Sequence, residues 1–278
     1  MDLSDVSYIS TVDDYISKIT HTNSSNIIWQ CTSPMPNKYI IRSDNAPDKS
    51  VTINQLRKMI TNDEVDIGSE LIVSYTDPYN HVTYDCPFVF GALKDWILRD
   101  GTTKYGLGLQ TVYSLPTQSM QYGSNNDYGA SNIRSFLTTT LLNCFPADFV
   151  NSLAEVYIPL YNVYDKFFAL SNPEMNVICT DSGWAYTNDS EGSHWQIYQQ
   201  KTNSTDYLNL PVSRGTIFSD IDLRGYNIED KTTKSNVWSR GKLLANNGWQ
   251  WVVVVNGISN DYVSGSNRLQ PACVILGA

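Results

Sequence analysis

Three histidines, five cysteines and a scatter of acidic loop residues are the groups from which this 278-residue chain could build a chemical centre. His21, His81 and His194 lie far apart and form neither an HExxH nor a His-x-His pattern, so spacing assembles no metal set. His194, beside Trp195 in GSHWQIY, reads either as a ligand-bonding group or as a structural histidine next to a core tryptophan. Cys31, Cys86, Cys144, Cys179 and Cys273 are odd in number and widely spaced, which fits buried thiols better than a disulfide framework or a zinc site. Asp181, Asp189 and Glu191 offer the oxygen donors that calcium takes, without EF-hand spacing; they read as solvated loop residues, as do Asp220 and Asp222. Ser193 precedes His194 without a Gly-x-Ser-x-Gly elbow, no Gly-rich phosphate loop occurs, and no carboxylate pair has a separation fixed by spacing. The expectation is a chain with no catalytic, cofactor-binding or metal residues. Its alternative is a glycan-active hydrolase with carboxylates drawn from distant loops.

The aromatic residues are the more informative chemistry. Eighteen Tyr and seven Trp supply large, rigid contacts with polar handles, a composition favoured at recognition surfaces. Trp238, Trp249 and Trp251 fall in strand-like runs and read as structural. Trp184, Tyr186, Trp195, Tyr198, Tyr207 and Tyr226 fall in the Asn- and Ser-rich part of the chain and are the expected ligand-binding set, with core packing as the competing use.

The elements that must position them follow from pattern. Val12, Tyr15, Ile16 and Ile19 recur at helical spacing behind Ser10 and Asp13, which predicts a short first helix. The run YIIR reads as a strand, and Ile53, Leu56 and Ile60 behind Thr52 predict a second helix ending before Asp66. DIGSELIVSYTDPYNHVTYDCPFVFG alternates β-branched and aromatic residues with turn formers and carries the first strands of the main domain. Ser131 caps a predicted helix to Leu141 whose apolar face is Ile133, Phe136, Leu137 and Leu141; a further short helix is predicted over 148–155. From Leu160 to Ser239 the chain reads as loop-rich with brief strands, the region expected to hold a binding surface. Two apolar runs close the chain, WQWVVVVN and PACVILG, and are expected to pair centrally in one sheet.

Charge narrows the partners. A net charge of −9 and the lack of a Lys/Arg cluster argue against nucleic acid or an anionic membrane surface. The start MDLSDVSYIS is acidic where a signal peptide is basic, and no apolar run reaches membrane-spanning length, so synthesis in a cytosol without cleavage and no membrane insertion are expected.

The segments YGASNIRSFLTTTLLNCF at 128–145, FFALSNPE at 167–174, EGSHWQIY at 191–198, NVWSRG at 236–241, and VVVNG with NRLQPACVIL occur in a telling order. It resembles a family of uncharacterised C-type-lectin-like domains of Firmicutes and their phages, distantly similar to phage tropism determinants and to the formylglycine-generating enzyme fold. The terminal motif departs from the family's Val-Arg-Pro-Ala, with Leu269-Gln270-Pro271-Ala272 in its place. The Glu-Pro-Asn, Gln-Pro-Asp and Trp-Asn-Asp signatures of calcium-dependent sugar binders are absent, and Cys273 stands without the second terminal cysteine of the formylglycine-generating relatives.

The resemblance implies an α+β fold, a C-type-lectin-like mixed module with long polar loops over 67–278, preceded by a small helical accessory region over 1–66. It implies a helix from Ser131 packed on the sheet, Trp238 and Arg240 near its main strands, and a closing strand begun by Pro271. The implied role is a phage virion structural, receptor-binding or decoration protein, assembled in the host cytoplasm. Its partners would be other virion proteins or a host-surface glycan or protein, and it would act as a homo-oligomer. A bacterial adhesion protein, in the cytoplasm or at the cell surface, is the other alternative.

Overall fold

The computed structural model describes residues 37–43, 46–172, 174–175, 192–193, 195–198, 226–240, 248–254 and 257–278. The predicted first helix lies outside them. The described residues of the unit from Tyr39 to Ala278 form a mixed α+β structure of two antiparallel-rich sheets, a two-stranded hairpin and three short helices.

In the larger sheet, β1 (Tyr39–Ser43) pairs with the edge strand β2 (Ala46–Val51) and with β3 (Glu70–Thr76). The sheet continues through β4 (Thr83–Ile97), β5 (Thr103–Thr111), β14 (Pro271–Leu276) and β9 (Phe167–Ala169), antiparallel throughout. Residues 39–66, grouped by the sequence with the accessory region, thus supply two strands and a helix to this unit.

That helix, α1 (Ile53–Thr61), starts where the sequence predicts. Thr52 accepts from the Gln55 amide while the Gln55 side chain accepts from the Thr52 amide, a reciprocal capping box. Leu56 and Ile60 are buried, and Arg57 donates to the carbonyls of Leu276 and Gly277 at 3.2 Å, fastening the end of the chain.

Helix α2 (Asn132–Thr138) is capped by Ser131, which accepts from the Arg134 amide at 3.1 Å. It is shorter than predicted, because it runs into three threonines, Thr138–Thr140. Thr138 and Thr139 turn their hydroxyls back onto the carbonyls of Arg134 and Ser135, and Thr139 leaves helical geometry at φ −125°; residues to Leu141 continue only into a 3-10 turn. Arg134 binds Asp165 of the hairpin β7 (Val156–Ile158)–β8 (Val163–Asp165) through both carboxylate oxygens.

Helix α3 (Ala147–Ser152) brings Phe149 into a ring cluster with Phe88, Phe145 and Phe167, centroids 5.3–5.8 Å apart, which fills one face of the sheet.

The smaller sheet runs β12 (Gly257–Tyr262), β11 (Trp249–Val254), β10 (Val237–Trp238), β13 (Ser266–Leu269), β6 (Leu115–Gln121). Here the expected pairing of the two terminal apolar runs is corrected. Of the first run, Trp249–Val254 forms β11 and pairs with β12, Val254 opposite Gly257, whereas Pro271–Leu276 of the second forms β14 between β5 and β9 in the other sheet. Pro271 does begin the closing strand, and Trp238 is buried in β10. Cys86, Cys144 and Cys273 are buried free thiols, and burial pushes Cys144 up to about 11. Cys31 and Cys179 lie outside the described residues.

Asp77, at the tip of the β3–β4 hairpin, is a buried carboxylate with a full set of donors. It accepts from the amides of Tyr79, Asn80 and Thr117, the Thr117 hydroxyl and Tyr75 Oη, at 2.8–3.1 Å. Burial acts to raise this carboxyl, but the bonds from Thr117, Tyr79 and Asn80 outweigh it and hold Asp77 below the usual carboxylate range. A carboxyl depressed in the folded state stabilises the fold above its ordinary value, and that stabilisation disappears as pH falls through the folded value. Asp77→Asn is expected to cost about 2–3 kcal/mol in urea unfolding at pH 7. The difference from the parent should shrink steadily below about pH 4; a pH-independent difference would show that the charge is not what matters.

Candidate binding scaffold

The other face of the large sheet carries a slot made by missing side chains. Gly91 and Gly108 sit on neighbouring strands, and the β4–β5 register shifts between Phe90 and Ala92. The Trp195 ring lies against both glycines: a Cβ on Gly91 would overlap the ring at Cε3, and one on Gly108 would stand 3.0 Å from Trp195 Cη2 and 2.9 Å from Trp96 Cζ2. Trp195 meets Trp96 edge-on at 5.8 Å and Phe168 at 6.3 Å. The Gly91 carbonyl accepts the Ile197 amide at 3.0 Å, and Gln196 Oε1 accepts the Leu93 amide at 2.6 Å. Tyr198 Oη donates a short bond to Gln110 Oε1 on β5. Segment 195–198 is thereby riveted to the centre of the sheet.

A second rivet is ionic. Arg240 Nη1 lies 2.5 Å from Glu174 Oε2 and donates to the Ala169 carbonyl at 2.7 Å, both side chains being almost wholly buried. The same Glu174 oxygen accepts the Ser171 amide, and the Glu174 carbonyl accepts the Trp195 amide at 2.8 Å. Ser239 donates to Asn172 Oδ1 and Gln250 donates to the Ser239 carbonyl, which carries the network from β9 into β11. A third rivet holds Tyr226 and Asn227: the Ser114 amide donates to the Tyr226 carbonyl at 2.6 Å and the Ser114 hydroxyl to Asn227 Oδ1 at 3.2 Å.

The predicted aromatic set divides on this geometry. Trp195 and Tyr198, expected as ligand contacts, have relative exposures of 0% and 2% and serve as anchors; two glycines make room for the Trp195 ring, and Tyr198 is held by Gln110. Tyr226 is half-buried with Lys234 Nζ 4.7 Å above its ring. Trp184, Tyr186 and Tyr207 lie outside the described residues, as do His194 and the acidic positions Asp181, Asp189, Glu191, Asp220 and Asp222. Sequence reasoning missed Glu174, Gln110 and the glycine pair; glycines inside strand runs, as in CPFVFGAL and YGLGLQ, were the signal that could have found the slot.

Among the described residues no group of His, Cys, Asp and Glu is placed to hold a metal ion, and no helix is long and apolar enough to cross a membrane. Comparison of the chain with protein-family models, with curated proteins and with solved structures finds no match.

If the glycines exist for Trp195, their substitution must be costly only while that ring is present. Gly91→Ala is expected to destabilise by about 1–3 kcal/mol through overpacking, and Trp195→Ala by about 3–5 kcal/mol through the cavity it leaves. The double variant should be more stable than the sum of the two losses by at least about 1 kcal/mol. Simple additivity in urea titrations would reject the slot.

Proposed function

We propose that this chain is a non-catalytic binding protein of a phage particle, a C-type-lectin-like module that displays the stretches between its anchors to a host-surface glycan or protein or to other virion proteins. The observation that carries the reading is the riveting of the connection between β9 and β10. That connection is fixed at Glu174–Arg240, at Trp195–Tyr198 and at Tyr226–Asn227, each time to strands of the two sheets or to the corner joining them. Recognition segments need such a framework, since loops held at intervals by a rigid scaffold lose less freedom on binding. Stretches 176–191 and 199–225 run between the anchors in sequence and carry Trp184, Tyr186 and Tyr207 among polar residues.

The lectin-like assignment draws support from three placements that its motif order implies: Ser131 at a helix cap, Trp238 and Arg240 at the end of β10, and Pro271 at the head of β14. Weak sites on a particle gain from repetition, so a homo-oligomer is part of the proposal.

Alanine variants of Trp184, Tyr186 and Tyr207, assayed in parallel for melting and for binding to host cells and purified cell-wall glycan, test this reading. At least one is expected to keep its melting temperature while losing about 2 kcal/mol or more of binding. Light scattering on the same preparations should report more than one copy. Folded variants that all bind as the parent does, in a preparation that stays monomeric, would sink the proposal.

A further inference from the structure

The described tyrosines divide by what their hydroxyls do. Those of Tyr39, Tyr75, Tyr105, Tyr161 and Tyr198 each donate to a carboxylate, a side-chain amide or a backbone carbonyl. Those of Tyr157 and Tyr164 have no hydrogen-bond partner among the described residues, and neither ring packs on the hydrophobic core. The two residues face each other across the β7–β8 hairpin; Val156, Ile158 and Asp165 occupy its buried side, which leaves both rings on the outward one. The ring centroids are 5.4 Å apart and the planes are tilted by 50°. An ion pair borders this platform. Arg99 holds its guanidinium 5.9 Å from the centroid of Tyr164, and its Nε lies 2.7 Å from Glu155 Oε2, the two side chains being 67% and 42% exposed. The backbone underneath is fixed. Val156 bridges to Leu98 just past β4, Arg134 grips Asp165 through both carboxylate oxygens, and Tyr161 in the hairpin turn donates to the Arg240 carbonyl at 2.7 Å.

We propose that Tyr157, Tyr164, Arg99 and Glu155 form a binding site for a neutral sugar, the pyranose rings of a β-1,4-linked glycan. The apolar C–H face of a pyranose lies on the electron-rich face of an aromatic ring. Its hydroxyls, each both donor and acceptor, take bonds from the guanidinium and give them to the carboxylate, and the spare phenol hydroxyls supply two further partners. A β-1,4 linkage keeps successive rings in an extended ribbon whose flat faces meet both tyrosines. Arg99 and Glu155 cancel each other's charge, which suits an uncharged ligand; an anionic one would meet Glu155 as well as Arg99. Size also selects. Two partly covered tyrosines and one ion pair present on the order of a few hundred Å², well short of the roughly 800 Å² that each partner of a standard protein–protein interface buries, whereas one or two sugar rings need no more. The site lies on β7–β8 and uses no residue of the β9–β10 connection, so it goes beyond the reading above, and either can fail without the other.

The test is saturation-transfer NMR and calorimetric titration of the full chain with the β-1,4-linked trimers of N-acetylglucosamine and of glucose. At least one trimer is expected to bind with a roughly millimolar Kd that changes little between low and high salt. Tyr164→Ala should weaken that binding about fivefold or more, Arg99→Gln about threefold or more, and Tyr164→Phe, which keeps the ring, less than Tyr164→Ala. The melting temperatures of these variants should stay near the parent's, since neither tyrosine ring packs on the core and Arg99 is largely exposed. Trp184→Ala should leave trimer binding unchanged. No saturation transfer from either trimer, or binding that Tyr164→Ala leaves intact, would overturn the proposal. Loss of trimer binding in Trp184→Ala alone would place the sugar on the other surface and overturn it as well.

Discussion

A guanidinium and a carboxylate buried together hold the two sheets of this protein to one another. Taking both ions out of water costs several kcal/mol each, and close pairing offsets that only when the remaining donors and acceptors are also engaged. Arg240 Nη1 is shared between Glu174 and the Ala169 carbonyl, and Glu174 also accepts the Ser171 amide. Because Ala169 ends a strand of the large sheet and Arg240 follows β10 of the small one, satisfying the pair fixes the spacing of both. Trp195 hangs from the same residue, its amide donating to the Glu174 carbonyl.

The corners between the sheets obey the same rule. The chain passes directly from one sheet to the other between β5 and β6 and again between β13 and β14, and at such corners the ladder can leave backbone carbonyls without partners. Gln270 sits at the second corner and donates to the carbonyls of Thr111 at 3.4 Å and Val112 at 2.9 Å in the first. One buried amide thus closes both turns. This gives a local reason for glutamine in Leu269-Gln270-Pro271-Ala272: a neutral amide serves carbonyls that an arginine would also reach, without burying another charge.

Much of this was legible from sequence wherever a residue acts on its own neighbours. Thr52 with Gln55 and Ser131 with Arg134 are local bargains between a side chain and the next turn, and they appear where the pattern places them. The shortened α2 was in principle equally local, since Thr138 and Thr139 compete for the helix's own carbonyls. What the pattern could not say was which apolar run meets which. Continuous hydrophobicity in WQWVVVVN and PACVILG reports burial on two faces and carries no address, and the Asn-Gly pair after the first run was the stronger clue to its hairpin partner. The burial of Trp195 was hidden for a related reason. A polar neighbourhood in sequence says nothing about strands a hundred residues away that have given up their side chains to admit a ring.

The consequence for recognition is a division of labour among aromatic residues that composition conceals. Rings consumed by the fold, such as Trp96, Trp195, Phe168 and Trp238, have almost no exposed surface to offer a partner. Tyr79 and Val82 at the β3–β4 tip are different: they are about half exposed, yet the backbone beneath them is pinned by Asp77. An exposed side chain on a fixed backbone has only its own rotamers left to lose on contact, which is the condition for a side chain to add affinity without a large ordering cost. The buried polar groups of this protein, Asp77 as much as Arg240, therefore act on the surface indirectly, by fixing the backbone beneath exposed side chains.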